Sequence, residues 1–268
     1  MNKWMILFLI SLIYIPEQSF SKSDFIIEKE SGKVLQSDTL LFGIQGKITK
    51  AFLNSYRVKS TKPLDDIVSQ LEELSNKSEN SIVRYWNAYT YYYKSIVYVG
   101  FKQNNESEKS INKGIEILKN IRRKNSEDYA LLALLQGFSL RFKSGIDAGT
   151  ASQKASLNAE KAVKLDNENL RAYYVLANND YYTPVQYGGG KKVEELLLKA
   201  IKLNEQKVKN PVLPSWGKDR SYTLLVQHYM KSEDKESAKK YLSEGLIKYP
   251  ENYDLNQLSK KLNPSEDQ

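Results

Sequence analysis

The sequence predicts an all-α protein, an α-solenoid of antiparallel helix pairs, on three observations. Beyond residue 37, apolar residues recur at intervals of three and four positions, which is the period of an α-helix. Asparagine, aspartate, serine and proline interrupt this pattern where helices would start and stop. Short segments of similar sequence also recur along the chain, as they do in stacked helical repeats.

The periodicity places the helices in order along the chain. Pro63, Asn80, Ser126, Ser232 and Pro250 are among the residues that separate them. The predicted helices cover about 38–58, 63–77, 80–101, 105–123, 126–143, 148–165, 168–182, 190–207, 216–231, 234–248 and 252–262. Residues 38–262 are therefore predicted to form one helical repeat domain. Residues 22–37 and 263–268 lack periodicity and are predicted to be a flexible N-terminal segment and a polar tail.

The N-terminus has the features of a secretory signal peptide. Lys3 precedes an apolar run from Trp4 to Ile15, Pro16 ends the run, and Ser19 and Ser21 suit a cleavage site after Ser21. The run is shorter than the roughly 20 residues of a membrane-spanning helix. The sequence thus predicts signal peptide 1–21, an exported chain located in a periplasm or the medium, and no membrane span after cleavage.

Composition excludes several classes of protein. The chain contains no cysteine, so it has no thiol for lipoprotein acylation, for disulfides or for a thiolate zinc site. The net charge of +8 comes from lysines scattered along helices together with glutamates, a pattern typical of a solvated basic surface. No stripe or motif of a nucleic-acid-binding protein accompanies it, and a nucleic-acid partner is not expected.

The recurring segments share a small residue at one position. They read KGIEIL, KAVKLDNEN, KAIKLNEQ and EGLIKYPEN, and their small residues are Gly114, Ala162, Ala200 and Gly245. Successive steps of 48, 38 and 45 residues approach a regular repeat. Each segment is predicted to close the second helix of a pair.

The last of these units resembles the tetratricopeptide repeat. Its positions for large, small and proline residues are held by Tyr222, Leu225, Val226, Tyr229, Ala238, Leu242, Gly245 and Pro250. The earlier units match less closely, with insertions between their two helices, and the resemblance covers about 63–262. It implies a superhelical stack in which the first helix of each pair lines a concave surface.

The stretch YYTPVQYGGGKK, residues 181–192, raises the question of a phosphate-binding loop. A P-loop follows a strand, spaces its glycines as GxxxxGK and places serine or threonine after the lysine. Here a helix precedes the glycines and Val193 follows Lys192. The glycines are therefore interpreted as a turn that needs positive φ, with weak anion binding at the following helix N-terminus as the alternative.

The sequence shows no catalytic or metal-binding constellation. His228 is the only histidine, which excludes a multi-histidine metal site, and no serine lies in a GxSxG motif. The carboxylate pairs at 65–66, 72–73 and 194–195 fit ordinary helix surfaces. No enzyme activity, cofactor or metal is expected.

Tyrosine is the unusual component, with 19 residues and a dense run, YWNAYTYYYKSIVYVGF, at 85–101. Mapping by the resemblance implies a binding groove rich in tyrosine and arginine, which are common in binding hot spots. Alternatively, part of this set packs in the core between the helices and binds no partner. The predicted groove residues are Tyr85, Tyr89, Tyr92, Tyr93, Phe138, Arg141, Arg171, Tyr174, Asn178, Tyr181, Tyr182, Arg220 and Gln227, with Phe142, Thr223 and Lys231 beside them.

The leading hypothesis is an exported, non-enzymatic scaffold that binds a peptide or protein in this groove. The alternative is a periplasmic helical accessory subunit of a TRAP-type solute transporter, because residues 181–201 resemble the aromatic-Gly-Gly turn of such subunits. It would bind a small ligand or a solute-binding protein. A third hypothesis is an enzyme acting on cell-wall polymer. Sequence alone identifies neither the partner nor the oligomeric state.

Overall fold

A computed structural model describes residues 37–77 and 80–262, and all of its regular structure in these ranges is helical. The helices are α1 (Ser37–Leu41), α2 (Ile44–Arg57), α3 (Lys62–Lys77), α4 (Ser81–Gly100), α5 (Asn104–Lys119), α6 (Ser126–Ser139), α7 (Gly145–Leu165), α8 (Leu170–Tyr182), α9 (Val193–Lys202), α10 (Lys218–Lys231), α11 (Lys235–Lys248) and α12 (Tyr253–Leu262). The predicted signal peptide, the polar tail and all of the N-terminal segment except residue 37 lie outside the described residues.

Polar side chains start several helices as the sequence predicts. The Asn80 side chain accepts a hydrogen bond from the backbone N–H of Ile82 at the start of α4. At α6, Asn125 and Asp128 each bond the other's backbone N–H in a capping box. These bonds satisfy N–H groups that have no partner within the helix, and so they fix where each helix begins.

The helices stack as consecutive antiparallel pairs. The pairs are α2/α3, α4/α5, α6/α7, α8/α9 and α10/α11, and α12 packs on the last of them. The first helices also contact each other in order, α2 with α4, α4 with α6, α6 with α8 and α8 with α10. They form one continuous surface, called here the inner surface. The all-α solenoid is confirmed, and α2/α3 adds a pair ahead of the units that the repeats identified.

The recurring small residues lie where helices approach closely. Gly114, Ala162, Ala200 and Gly245 are all buried. A Cβ on Gly114 would lie 2.8 Å from Leu135 Cδ2, and one on Gly245 would lie 3.0 Å from Leu255 Cδ1. Larger side chains would push the helices apart, which explains the repetition.

Several predicted helices are shorter in the structure, and two of them differ most from the prediction. The predicted helix 38–58 is broken at Gly43, whose φ of 64° is left-handed and separates α1 from α2. The predicted helix 190–207 begins at Val193 and stops at Lys202. Beyond Lys202 the chain leaves the helical path because residues 203–217 form contacts with distant helices.

Residues 203–217, called here the crossing loop, run from the fourth pair to the N-terminal pairs. The backbone N–H of Gly43 donates to the Pro211 carbonyl at 3.0 Å. The indole N–H of Trp86 donates to the Val212 carbonyl at 2.8 Å. The crossing loop therefore ties units that are far apart in sequence across the inner surface. None of the described helices combines the length and apolarity that a membrane crossing requires.

Candidate functional site

The structure places the predicted groove residues at three depths. Those that are buried are Tyr85, Tyr89, Tyr92, Arg171 and Tyr174, with Thr223 beside them. Those that are partly exposed are Tyr93, Phe138, Asn178, Tyr181, Arg220 and Gln227, with Phe142 beside them. Those that are exposed are Arg141 and Tyr182, with Lys231 beside them.

Tyr85 and Tyr89 do not reach solvent, because Trp216 of the crossing loop covers them. The Trp216 indole stacks on the Tyr89 ring, with centroids 5.8 Å apart and planes at 25°. Its N–H donates to the Tyr85 hydroxyl at 2.8 Å. Both tyrosines are 1% exposed. The prediction that they line an open groove is wrong, since the chain itself occupies that part of the inner surface.

Arg171 also belongs to the interior. Its Nε and Nη2 donate to the two carboxylate oxygens of Glu127, both at 2.6 Å. Its Nη1 donates to the carbonyls of Glu205 and Trp216, at 3.0 and 3.2 Å. Arg171 therefore anchors both ends of the crossing loop and has no place in an open groove.

Tyr174 is covered in the same way as Tyr89. Its ring contacts Trp216 edge to face, with centroids 6.2 Å apart. Burial raises the pKa of Tyr174, so its phenol stays neutral at physiological pH. Its position supports the floor of the inner surface and leaves little of the ring for a ligand.

Most of the other predicted residues form a second cluster, called here the inner patch. It consists of the buried Tyr92 and, around it, the at least partly exposed Tyr93, Phe138, Arg141, Tyr182 and Arg220. Tyr92 lies at its centre, edge to face with Tyr93 at 5.6 Å and with Phe138 at 5.3 Å between ring centroids. The Arg141 guanidinium carbon lies 4.0 Å from the centroid of the Phe138 ring. First helices from different pairs thus contribute to one surface.

Arg220 is held in the inner patch by aromatic groups. Its Nη2 donates to the Tyr93 hydroxyl at 2.7 Å. Its guanidinium carbon lies 5.4 Å from the Trp216 ring centroid and 5.9 Å from that of Tyr92. Among the described residues, no carboxylate lies within ion-pair distance of Arg220 or of Arg141.

Two of the phenols around these arginines, those of Tyr92 and Tyr182, do not supply a negative charge. Burial raises the pKa of Tyr92, and the charges of Arg220 and Arg141 act in the opposite direction. Desolvation of the phenol, followed by the neighbouring tyrosines, also raises the pKa of Tyr182, although part of its ring is exposed. Both phenols are therefore neutral at physiological pH, and the inner patch carries an uncompensated positive charge.

A smaller set of predicted residues lies between α8 and α10. The Lys231 ammonium lies 5.0 Å from the Tyr181 ring centroid, and Tyr181 contacts Tyr182 edge to face at 5.0 Å. The side-chain oxygen of Gln227 is buried without a hydrogen-bond partner among the described residues. Asn178 is partly exposed on α8. These residues extend the inner patch toward the C-terminal pairs.

The glycine stretch is a turn, as interpreted. Gly188 and Gly190 both have φ of 85°, in the left-handed region. Asp180 accepts the backbone N–H groups of Gly190 and Lys192, through its carbonyl at 3.0 Å and its carboxylate at 2.7 Å. A carboxylate thus lies where an anion would bind the start of α9. The alternative of a weak anion site at this helix N-terminus is therefore not supported.

The remaining titratable groups form no catalytic cluster in the described chain. Asp65 pairs with Lys94 at 2.6 Å, and Glu72 accepts a hydrogen bond from the Tyr91 hydroxyl at 3.0 Å. His228 is partly exposed, and burial lowers its pKa. No group of three or more metal-binding side chains occurs in residues 37–77 and 80–262.

Sequence reasoning missed Trp216 and Glu127, which decide which predicted residues are open. The sequence signal for Trp216 is an aromatic residue that follows two prolines, Pro211 and Pro214, and precedes the start of a helix at Lys218. For Glu127 there is no local signal, because it lies in the first turn of α6 where acidic residues are common.

Outside the inner patch, an open depression of about 430 Å³ lies between α8 and α9, around Tyr173 and Lys199.

Comparisons with known proteins identify the fold. The structure of TTC0263, a thermophilic TPR protein in Thermus thermophilus, matches with a TM-score of 0.53 at 12% sequence identity, covering 80% of this chain and 98% of that chain. The fold is tetratricopeptide-like. The HusA haemophore from Porphyromonas gingivalis matches with a TM-score of 0.54 at 17% identity, covering 74% of this chain and 94% of that chain. No family model and no curated protein sequence matches the chain.

Proposed function

We propose that this tetratricopeptide-like protein is an exported, non-enzymatic scaffold that binds a protein or peptide partner on the inner patch. The observation that carries the proposal is the cluster of neutral aromatic rings and two guanidiniums without ion-pair partners on the stacked first helices. Helical repeat arrays present extended inner surfaces to their partners and need no catalytic group for this function. Export rests on the signal peptide that the sequence predicts.

The chemistry of the inner patch suits a protein partner. Tyrosine and arginine bury large areas with few rotatable bonds and donate hydrogen bonds, which is why they dominate binding hot spots. Tyr92 and Phe138 are fixed by packing before any partner arrives, so binding would order few additional side chains. Tyr182, with 45% of its surface exposed, offers a large apolar face at the edge of the patch.

The test is a pull-down from the native cell with three forms of the mature chain, starting at residue 22. The forms are the wild type, a Tyr182→Ala/Phe142→Ala variant of the inner surface, and a Leu157→Ala/Ile247→Ala control. Leu157 and Ile247 are exposed apolar residues, 56% and 79% exposed, on second helices, so the control removes similar area elsewhere. Thermal unfolding first establishes that all three forms are equally folded.

We expect one protein that the wild type and the control recover and that the inner-surface variant loses. Equal recovery by all three forms would contradict the proposal. Loss with the Leu157/Ile247 control alone would move the binding surface to the second helices.

A second candidate function is the binding of a small planar ligand. It is favoured by the fold shared with the HusA haemophore, over 74% of this chain, and by the aromatic faces of the inner patch. It shares with the transporter-subunit alternative the prediction that the protein binds a small ligand. Titration of the mature chain with haem, followed by visible absorption, tests it: a saturable spectral shift that Tyr182→Ala/Phe142→Ala removes would support it, and an unchanged spectrum would exclude haem as the ligand.

A further inference from the structure

The two arginines nearest the centre of the inner surface differ in how their charges are compensated. Arg171 is buried and meets the Glu127 carboxylate with two hydrogen bonds, both at 2.6 Å. Arg220 is partly exposed and meets phenol and indole groups in place of a carboxylate. The Tyr92 and Tyr174 phenols also lie beside this guanidinium, so its neighbours are neutral acceptors and rings, with no carboxylate of the described chain within ion-pair distance.

Aromatic neighbours compensate only part of the cost of removing this charge from water. An aromatic ring attracts a cation more weakly than a paired carboxylate does. Removing even part of an ion from water costs free energy, which ring contacts offset less completely than an ion pair. Arg220 therefore carries a positive charge that no carboxylate among the described residues compensates, at a position that solvent reaches in part. A ligand carboxylate would compensate this charge.

Arg141 places a second guanidinium on the same surface. It lies on the Phe138 ring, which contacts Tyr92, and Tyr92 also lies 5.9 Å from the Arg220 guanidinium carbon. The two cations thus flank one aromatic group, and a ligand that stacks there meets both. Arginine is the side chain best suited to planar, two-point recognition of a carboxylate.

We propose that Arg220 and Arg141 bind carboxylates of an acidic, aromatic segment of the partner. The inference rests on the proposed function and specifies the chemistry of the ligand. The carboxylates come from acidic side chains or from a chain terminus, which the test separates. Arg220 is the principal contact because it is the more enclosed of the two, and Arg141 adds a second charge at the exposed edge.

The test is isothermal titration calorimetry of the mature chain with three peptides. GEEYEEYG with an amidated C-terminus carries side-chain carboxylates, GQQYQQYG with a free C-terminus carries only the terminal one, and amidated GQQYQQYG carries none. Each is titrated into the wild type, Arg220→Gln, Arg141→Gln and an Arg123→Gln control. Arg123 is exposed in the turn between α5 and α6, outside the inner patch.

We expect the acidic peptide to bind the wild type and the Arg123 control equally. Arg220→Gln should weaken its binding by about tenfold or more, since a lost charge-assisted hydrogen bond of about 1.5–3 kcal/mol has that effect. Arg141→Gln should weaken it less, and Arg220→Lys should restore part of the affinity. Binding of the free-terminus peptide alone would identify a terminal carboxylate as the source.

Equal binding of the acidic and uncharged amidated peptides, or unchanged affinity in Arg220→Gln, would overturn the inference. If Tyr182→Ala/Phe142→Ala then still weakened both peptides, the proposed function would stand without a carboxylate. If no peptide bound the wild type, the inference would also fail, and the pull-down would decide the proposed function independently. If Arg220→Gln does not fold, the affinity of Arg220→Lys for the acidic peptide is compared with that of the wild type instead.

Discussion

Arg171 and Glu127 form a two-point ion pair that joins α8 to the first turn of α6, with both hydrogen bonds at 2.6 Å. The same guanidinium binds the carbonyls at residues 205 and 216, so a single side chain holds two helices and both ends of the crossing loop. Its position in the repeat predicts that Arg171 lines a binding groove. Its four hydrogen bonds within the chain assign it to the architecture instead.

Glu127→Gln should therefore destabilise the fold strongly. Removing one partner of a buried ion pair leaves the other charge uncompensated and typically costs about 3–5 kcal/mol. Arg220→Gln removes the hydrogen bond to Tyr93 but also a cation that no carboxylate compensates among the described residues, and because these two effects oppose each other we expect its unfolding free energy to change by less than about 1 kcal/mol. Urea unfolding of both variants measures the difference. Similar losses in the two would contradict the distinction between the arginines.

Trp216 should be the most sensitive residue of the crossing loop. It is 4% exposed, stacks on Tyr89 and donates to Tyr85. Trp216→Ala should cost about 3–5 kcal/mol, the usual range for a large aromatic residue removed from a core. Trp216→Phe keeps most of the packing but loses the donor, so we expect a smaller cost of about 1–2 kcal/mol. Chemical denaturation checks both, and a loss under about 1 kcal/mol for Trp216→Ala would show that the crossing loop is not integral to the fold.

The glycine turn should tolerate substitution unequally. Gly188 has positive φ but open space where a Cβ would lie, so Gly188→Ala should cost only about 1–2 kcal/mol of backbone strain. A Cβ on Gly189 would overlap the Thr183 carbonyl oxygen, which requires the backbone to move. Gly189→Ala should therefore be the more destabilising substitution, measured by midpoints of thermal unfolding. The reverse order would contradict the geometry of the turn.

Asp128 should give the fold a distinctive pH dependence. Its side chain is 2% exposed, and burial raises its pKa from 3.8 to about 6. Since the folded state binds this proton more tightly than the unfolded state, the contribution of Asp128 to stability increases as pH falls from about 6 toward 4. At neutral pH the buried carboxylate is ionised, and this contribution is absent.

The comparison of wild type with Asp128→Asn isolates the effect of this group. Relative to the variant, the wild type should gain on the order of 1–3 kcal/mol between pH 7 and pH 4, following from a shift of about two pKa units. Urea unfolding at pH 7, 6, 5 and 4 measures it. A difference between the two proteins that stays constant with pH would show that the folded-state pKa of Asp128 is not raised.

Local patterns were sufficient to predict the helices and their stacking. Three- and four-residue periodicity and capping residues such as Asn80 depend on neighbours a turn away, so they can be read along the chain. The small residues at Gly114 and Gly245 were predictable for a related reason. Each repeat brings two helices close together at the same position, so a small residue recurs there.

The crossing loop could not be predicted, because its contacts have no local signature. Apolar periodicity continues past Lys202, yet α9 ends there. Arg171 donates a hydrogen bond to the Glu205 carbonyl, 34 residues away in the sequence. Trp216 donates one to the Tyr85 hydroxyl, 131 residues away. Register in the repeat places Tyr85 and Tyr89 on a first helix, where α4 carries them. Only the tertiary structure shows that Trp216 covers them.

Site-specific photo-crosslinking tests the central claim most directly. A benzoylphenylalanine would replace Tyr182 on the inner patch or, as a matched control, Ile247 on α11, with 45% and 79% of their surfaces exposed in the wild type. Irradiation in the native cell should then link the Tyr182 position, and not the Ile247 position, to one protein partner. That link should disappear when Arg220→Gln and Arg141→Gln are added. Crosslinking at Ile247 alone, or a Tyr182 crosslink indifferent to both arginines, would contradict binding on the inner patch.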